Sequence, residues 1–205
     1  MKTIRMVIIS LIYVSACLIL HSHNHTFSQA ELHVEKDILF ATTGGVQLKG
    51  DMYVPEGDGP FPGILNIHGG GFVGGDKGGP AMERFVRFFA ENGYVVFSVN
   101  YRTLQQGGMF PNNIKDVKCA LAWMKANAGK YGIDTSRIGV TGESAGGYLA
   151  AMIALTPNMK EFQPDCEGFN DADTSVLARA LFYAPFNFTT FNVGFSHVLE
   201  VELRL

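Results

Sequence analysis

Apolar positions along the 205-residue chain change spacing repeatedly, and each change predicts a new element. Residues 37–41 and 47–54 are extended stretches separated by Thr43-Gly44-Gly45, which reads as a hairpin-like lead-in. Residues 61–67 form a buried strand, and a glycine-rich loop starts at Gly69. Over residues 82–91, Phe85, Val86, Phe89 and Ala90 share one helical face, and Asn92-Gly93 stops that helix. Residues 94–99 are a second, nearly continuous apolar strand. Over 112–128, Ile114, Val117, Leu121 and Met124 keep helical spacing, with Lys125 and Lys130 suited to the negative end of the helix dipole. A short strand at 138–141, an apolar helix at 145–155 and a fourth buried strand at 178–184 follow. Residues 157–175 are rich in Pro, Asp and Asn without periodicity, and are expected as a long loop or small lid.

Strands alternating with helices need crossover connections, and these build a mostly parallel sheet. Strands apolar along their whole length fit a sheet covered on both faces. The expected fold class is therefore α/β, with helices on both faces and the antiparallel lead-in adding edge strands.

The first thirty residues follow another pattern. Lys2 and Arg5 precede an apolar run over residues 7–20, broken only by Ser10 and Ser15. The run is short for a membrane span of about 20 residues, and Ser28-Gln29-Ala30 places small residues where a signal peptidase reads. Residues 1–30 are expected to be an export signal, leaving residues 31–205 as one periplasmic or secreted domain. Val14-Ser15-Ala16-Cys17 resembles a lipoprotein site, but Leu18-Ile19-Leu20 stand where a polar linker belongs.

Composition narrows the classes. With 47% hydrophobic and 17% charged residues the chain can bury one sizeable core. The formal net charge of -3 excludes a basic nucleic-acid surface. Cleavage after Ala30 leaves Cys119 and Cys166, which an exported protein could pair; otherwise they are two small, partly buried hydrophobes. The cluster His21-Ser22-His23-Asn24-His25 could bind metal but precedes the expected cleavage site.

Two motifs carry chemistry. Gly142-Glu143-Ser144-Ala145-Gly146-Gly147 falls between a predicted strand and a predicted helix. A serine at such a turn is held in a strained backbone conformation with its hydroxyl above the sheet edge. Small residues two positions either side let the backbone pass close to itself. His68-Gly69-Gly70-Gly71 directly follows the strand at 61–67. Acyl transfer develops an oxyanion, which needs backbone N–H donors that no side chain blocks. A plain flexible glycine loop is the simpler reading of that motif alone. A phosphate-binding loop fails, because Lys77 follows Asp76 and Gly78 stands where Ser or Thr is required.

Taken in this order, the two motifs resemble those of the α/β-hydrolase superfamily, within it the hormone-sensitive-lipase-like carboxylesterases. The stretches Phe72 to Lys77, Asn100-Tyr101-Arg102, Phe110-Pro111 before the helix with Asp116, and Lys130-Tyr131-Gly132-Ile133-Asp134 before Arg137-Ile138 are also similar. The last is most similar to the bacterial feruloyl/acetylxylan esterase (BD-FAE-like) branch, and the resemblance spans about residues 34–186. It implies Ser144 as nucleophile, and the backbone N–H groups of Gly70, Gly71 and Ala145 as the oxyanion hole. His68, Gly69, Gly142 and Gly146 would support the turns, and Glu143 would act at most from behind the serine. It also implies two-step hydrolysis of small acyl or aryl esters, including those on plant polysaccharides, without metal or organic cofactor.

Relatives carry an acid and then a histidine after later strands. Here Glu161, Asp165, Glu167, Asp171 and Asp173 all precede the strand at 178–184, and His197 is the one histidine after Ser144. His197 reads as a tail residue without a partner, and residues 198–205 match no expected continuation. The chain is therefore expected to be C-terminally truncated, with its last sheet edge unpartnered, and to be weakly active or inactive. A prolyl-oligopeptidase-like serine peptidase and a non-catalytic hydrolase-fold binding module remain alternatives. The His68–Gly71 loop separates the first, since those peptidases resemble it poorly there.

Overall fold

A computed structural model describes residues 31–157 and 159–188, and the backbone of 199–203. The expected export signal, Cys17, the histidine cluster at 21–25 and His197 lie outside the described residues. The lead-in is the predicted antiparallel hairpin, β1 (Leu32–Thr43) with β2 (Val46–Pro55). A parallel set follows: β3 (Phe61–Ile67), β4 (Val95–Val99), β5 (Ile133–Glu143) and β6 (Ala178–Phe182). Between them run α1 (Pro80–Glu91), α2 (Asn112–Ala126), the single turn α3 (Ala128–Tyr131) and α4 (Ala145–Leu155). The sheet order is β1-β2-β4-β3-β5-β6-β7, where β7 is Leu199–Leu203. The α/β class expected from alternation is the class adopted.

Two boundaries in the strands beside the site and one strand pairing differ from the sequence reading. β5 starts at Ile133 rather than 138, because Ile133 pairs with Phe61 beyond a register shift. Its polar stretch hides this: the Asp134 carboxylate takes Ser136 N–H at 2.9 Å and Arg137 Nε at 2.6 Å. β6 ends at Phe182, because Tyr183 turns the chain with φ 40°. The edge of β6, expected bare, pairs antiparallel with β7, Ala178 opposite Leu203 and Phe182 opposite Leu199. The alternating charged and apolar residues there carry the two-residue period of a strand.

The core lies on both sheet faces, as strands apolar throughout require. On one face Met82, Val86 and Ala90 of α1 meet Tyr53 and Val96. On the other, α2 and α4 bring Ile114, Val117, Leu121, Leu149 and Ile153 against Leu65, Ile67, Phe97, Ile138 and Val140. The disulfide Cys119–Cys166 ties the 157–175 loop to α2. β3 and β5 are neighbours, yet the chain leaves β3 toward α1 and β5 toward α4, on opposite faces. That divergence opens a crevice at their carboxyl ends, where α/β sheets bind ligands.

Candidate active site

Both motifs lie at this crevice. Ser144 has φ 49° and ψ −118° at the N-terminal boundary of α4. L residues rarely adopt such a conformation, and it persists only where its surroundings over-determine it. Those surroundings are backbone. The Ser144 N–H donates to Phe182 O at 2.9 Å, so the end of β6 holds the turn. A Cβ on Gly146 would sit 2.1 Å from Ile67 O and 2.5 Å from His68 O. One on Gly142 would sit 2.4 Å from Gly146 O. Only glycine fits either place, so the first turn of α4 packs directly on the end of β3. The Tyr183 hydroxyl donates to Glu143 Oε2, and burial, then this carboxylate, pushes the phenol up to about 12.

The His68 loop reaches the same spot from β3. A Cβ on Gly69 would lie 3.0 Å from Glu143 O and 3.4 Å from Ser144 Cβ. Gly70 at φ 122° and Gly71 at φ 61° take backbone that favours glycine. Gly70 O accepts the N–H groups of Val73 and Gly74, each at 3.1 Å. Among the described residues, no carbonyl or side chain takes the N–H of Gly70, Gly71 or Ala145. His68 is 3% exposed, with Nδ1 2.6 Å from Gly69 O and its ring stacked on Tyr101 at 4.7 Å. Burial lowers its pKa below the ordinary imidazole value, which favours the neutral ring. Tyr101 Oη donates back to His68 O at 3.3 Å.

Several contributors stood in the sequence only as stretches of family resemblance without a stated role, and Asp37 and Asp51 carried no functional signal at all. Asp76 accepts from Gly78 N–H at 2.7 Å and from Asn100 Nδ2 at 3.0 Å, and Asn100 Oδ1 takes Lys77 N–H at 2.7 Å. Lys77 Nζ then reaches Asp51 at 2.9 Å and Asp37 at 3.0 Å on the β1–β2 hairpin. Arg102 Nη2 meets Asp116 at 2.7 Å, and the Arg102 N–H meets the same carboxylate at 3.0 Å, which locks α2 to the chain leaving β4. Beyond Gly71 lies a cavity walled by Phe72, Met109, Phe110, Tyr148 and Phe188. Phe188 stands edge-on to Tyr148 at 5.1 Å.

A parallel sheet in this order, with a strand–serine–helix turn facing a glycine loop from the next strand, defines an α/β-hydrolase. A family model described as BD-FAE matches residues 50–200, and the chain belongs to that family. Probable carboxylic ester hydrolase LipM of Mycobacterium tuberculosis (strain ATCC 25618 / H37Rv) is 43% identical over 131 residues, 64% of this chain and 29% of LipM. Arylacetamide deacetylase of Bos taurus is 42% identical over 95 residues, 45% of this chain and 24% of the deacetylase. The chain thus spans less than a third of the length of these curated relatives. A truncated form of a carbohydrate esterase from gut microbiota has the same fold, with a TM-score of 0.69 at 24% identity over 77% of this chain and 59% of that one. A bifunctional GH43-CE of Bacteroides eggerthii reaches TM-score 0.66 at 29% identity, over 74% of this chain and 23% of that one. Among the described residues no helix is long and apolar enough to cross a membrane.

Proposed function

We propose that the chain carries the nucleophile and oxyanion hole of a serine carboxylic ester hydrolase. Ser144 Oγ attacks the ester carbonyl carbon and its proton passes to a base. The tetrahedral oxyanion accepts hydrogen bonds from the N–H groups of Gly70, Gly71 and Ala145. Collapse expels the alcohol and leaves an acyl-serine, which water hydrolyses to the acid. The observation that carries this reading is the backbone of Ser144, φ 49° and ψ −118°, beside the Gly69 backbone. Among the described residues the histidines are His33 and His68. His68 is committed to its own loop, and His33 shares a cleft with Phe61 and Gly132, at the far end of β3. Neither is the base in this mechanism; His68 holds the glycines in place.

Small acyl or aryl esters are the substrate class, and the solved neighbour named a carbohydrate esterase favours esters on polysaccharide. The test is hydrolysis of 4-nitrophenyl butyrate by wild type and Ser144→Ala, together with labelling by a fluorophosphonate located by mass spectrometry. Ser144→Ala should abolish the label and, in protein that carries the base, lower turnover by more than about 10³-fold. Turnover or labelling that survives the substitution overturns the assignment.

We also infer export through residues 1–30. The disulfide Cys119–Cys166 supports it, because such bonds persist in oxidising compartments. The mature N-terminus should be Glu31; a chain starting at Met1, or acylated at Cys17, contradicts this.

A further inference from the structure

We propose that the mouth of the cavity beside Gly71 is a landing surface for a neutral, water-insoluble aggregate of esters, such as a glyceride droplet. The surface stands on its own observations; that it feeds esters to Ser144 rests on the reading above. The cavity has a volume of about 390 Å³, and its wall includes Leu104, Met109, Phe110 and Phe188. These are 48%, 62%, 63% and 52% exposed, so they form an apolar rim as much as a lining. Val73, equally exposed, lies 3.9 Å from where a Cβ on Gly71 would stand. Three separate segments meet here. The Leu104 N–H donates to Phe72 O at 2.8 Å, and the Phe188 ring lies 6.4 Å from that of Phe72. Soluble proteins rarely expose contiguous apolar patches of this kind unless something binds them.

Charge selects the partner. Residues 69–75, 103–114 and 183–188 contain no Asp, Glu, Lys or Arg. Arg102, just before the second segment, is turned inward onto Asp116. Two amides there are engaged within their own loop: Gln106 Oε1 accepts the Thr103 N–H, and Asn112 Nδ2 donates to Gly107 O, each at 3.0 Å. An anionic membrane is recognised by Lys and Arg, and a hydrated sugar chain by outward polar groups. A neutral apolar surface needs neither. Other exposed apolar side chains stand among charges instead. Phe88 has Arg84, Arg87 and Glu91 within one turn of α1, and Met159 precedes Lys160 and Glu161. A folded partner seated on the rim would close the cavity, whereas an aggregate of esters would supply it.

The experiment uses the mature chain from Glu31, because the apolar run of residues 7–20 would adsorb by itself. Flotation with a tributyrin emulsion measures the partition of wild type, the double variant Leu104→Gln with Met109→Gln, Val73→Gln and Phe88→Gln. Wild type should float with the droplets, and more strongly as sulfate is added. The double variant should partition at least about tenfold less, and Val73→Gln, in another loop, about threefold less. Phe88→Gln should match wild type. Wild type that stays in the aqueous phase, or variants that float as it does, overturns the proposal. A preference for phosphatidylglycerol vesicles or for acetylated xylan over the emulsion overturns it too. Self-association that the double variant abolishes assigns the rim to a second copy instead. Lower urea midpoints for both the double variant and Val73→Gln show a rim covered by the chain itself; either result rules out the droplet. Adsorption does not use Ser144, so its failure leaves the esterase reading standing, and the fluorophosphonate label tests that reading separately.

Discussion

The turn after β5 is held almost wholly by backbone, its own and that of β3 and β6, whereas the loop after β3 is held by side chains from several other segments. At Ser144 the determinants are Gly142, Gly146 and Phe182 O, all close approaches of main chain. At Gly69 to Gly71 they are His68 on Tyr101, Asp76 on Asn100, and Lys77 on Asp37 and Asp51. Placing a strained nucleophile is a problem of local sterics, which two glycines solve. Keeping three glycines in one conformation is a problem of entropy, because glycine loses more freedom on folding than any other residue. The two N–H groups on Gly70 O offset part of that loss, and residues outside the loop offset the rest.

Substitution should break the two turns differently. The largest effect is expected from Gly146→Ala, whose Cβ meets Ile67 O at 2.1 Å with no flexible side chain to yield. We expect at least about 3 kcal/mol of destabilisation, or insoluble protein. Gly71→Ala meets nothing closer than Val73 at 3.9 Å and bears only its positive φ. It should cost about 1–2 kcal/mol and leave the fold intact. Urea unfolding of both variants measures the contrast, and equal losses would remove the distinction between a sterically built turn and a conformationally restrained loop.

A smaller but more telling effect is expected from Lys77→Met. Asp51 is 1% exposed and bound by both Lys77 and Lys36, so losing Lys77 leaves a buried carboxylate half-compensated. Breaking a buried pair costs about 3–5 kcal/mol when nothing replaces the partner; with Lys36 retained we expect about 2 kcal/mol. Hydrogen exchange should then quicken at Gly69 to Gly71 and stay unchanged at Ala145 and Gly146. Uniform quickening across both turns would show that the hairpin supports the whole crevice rather than the β3 loop.

The contrast also explains what could be read without coordinates. Ser144 and its glycines stood out because the motif falls within six residues of sequence, at a strand-to-helix boundary visible in the periodicity, whereas the Ile67, His68 and Phe182 carbonyls that complete the turn did not. The β3 loop stood out as a motif, but the roles of Asp37, Asp51 and Lys77 did not. These residues lie in ordinary charged positions, and only folding of the β1–β2 hairpin against β4 brings them together.

By itself, the sequence determined the alternation of strands and helices, the two-faced core, and the positions of Ser144 and the glycine loop. Each follows from periodicity or from sterics acting over a few residues. Tertiary structure decided that β5 begins at Ile133, that Leu199–Leu203 pairs with β6, and that Cys119 meets Cys166. It also decided which charges hold the loop and which aromatic rings wall the cavity. Those outcomes depend on contacts between residues far apart in the chain, whose free energy exists only once the sheet has brought them together.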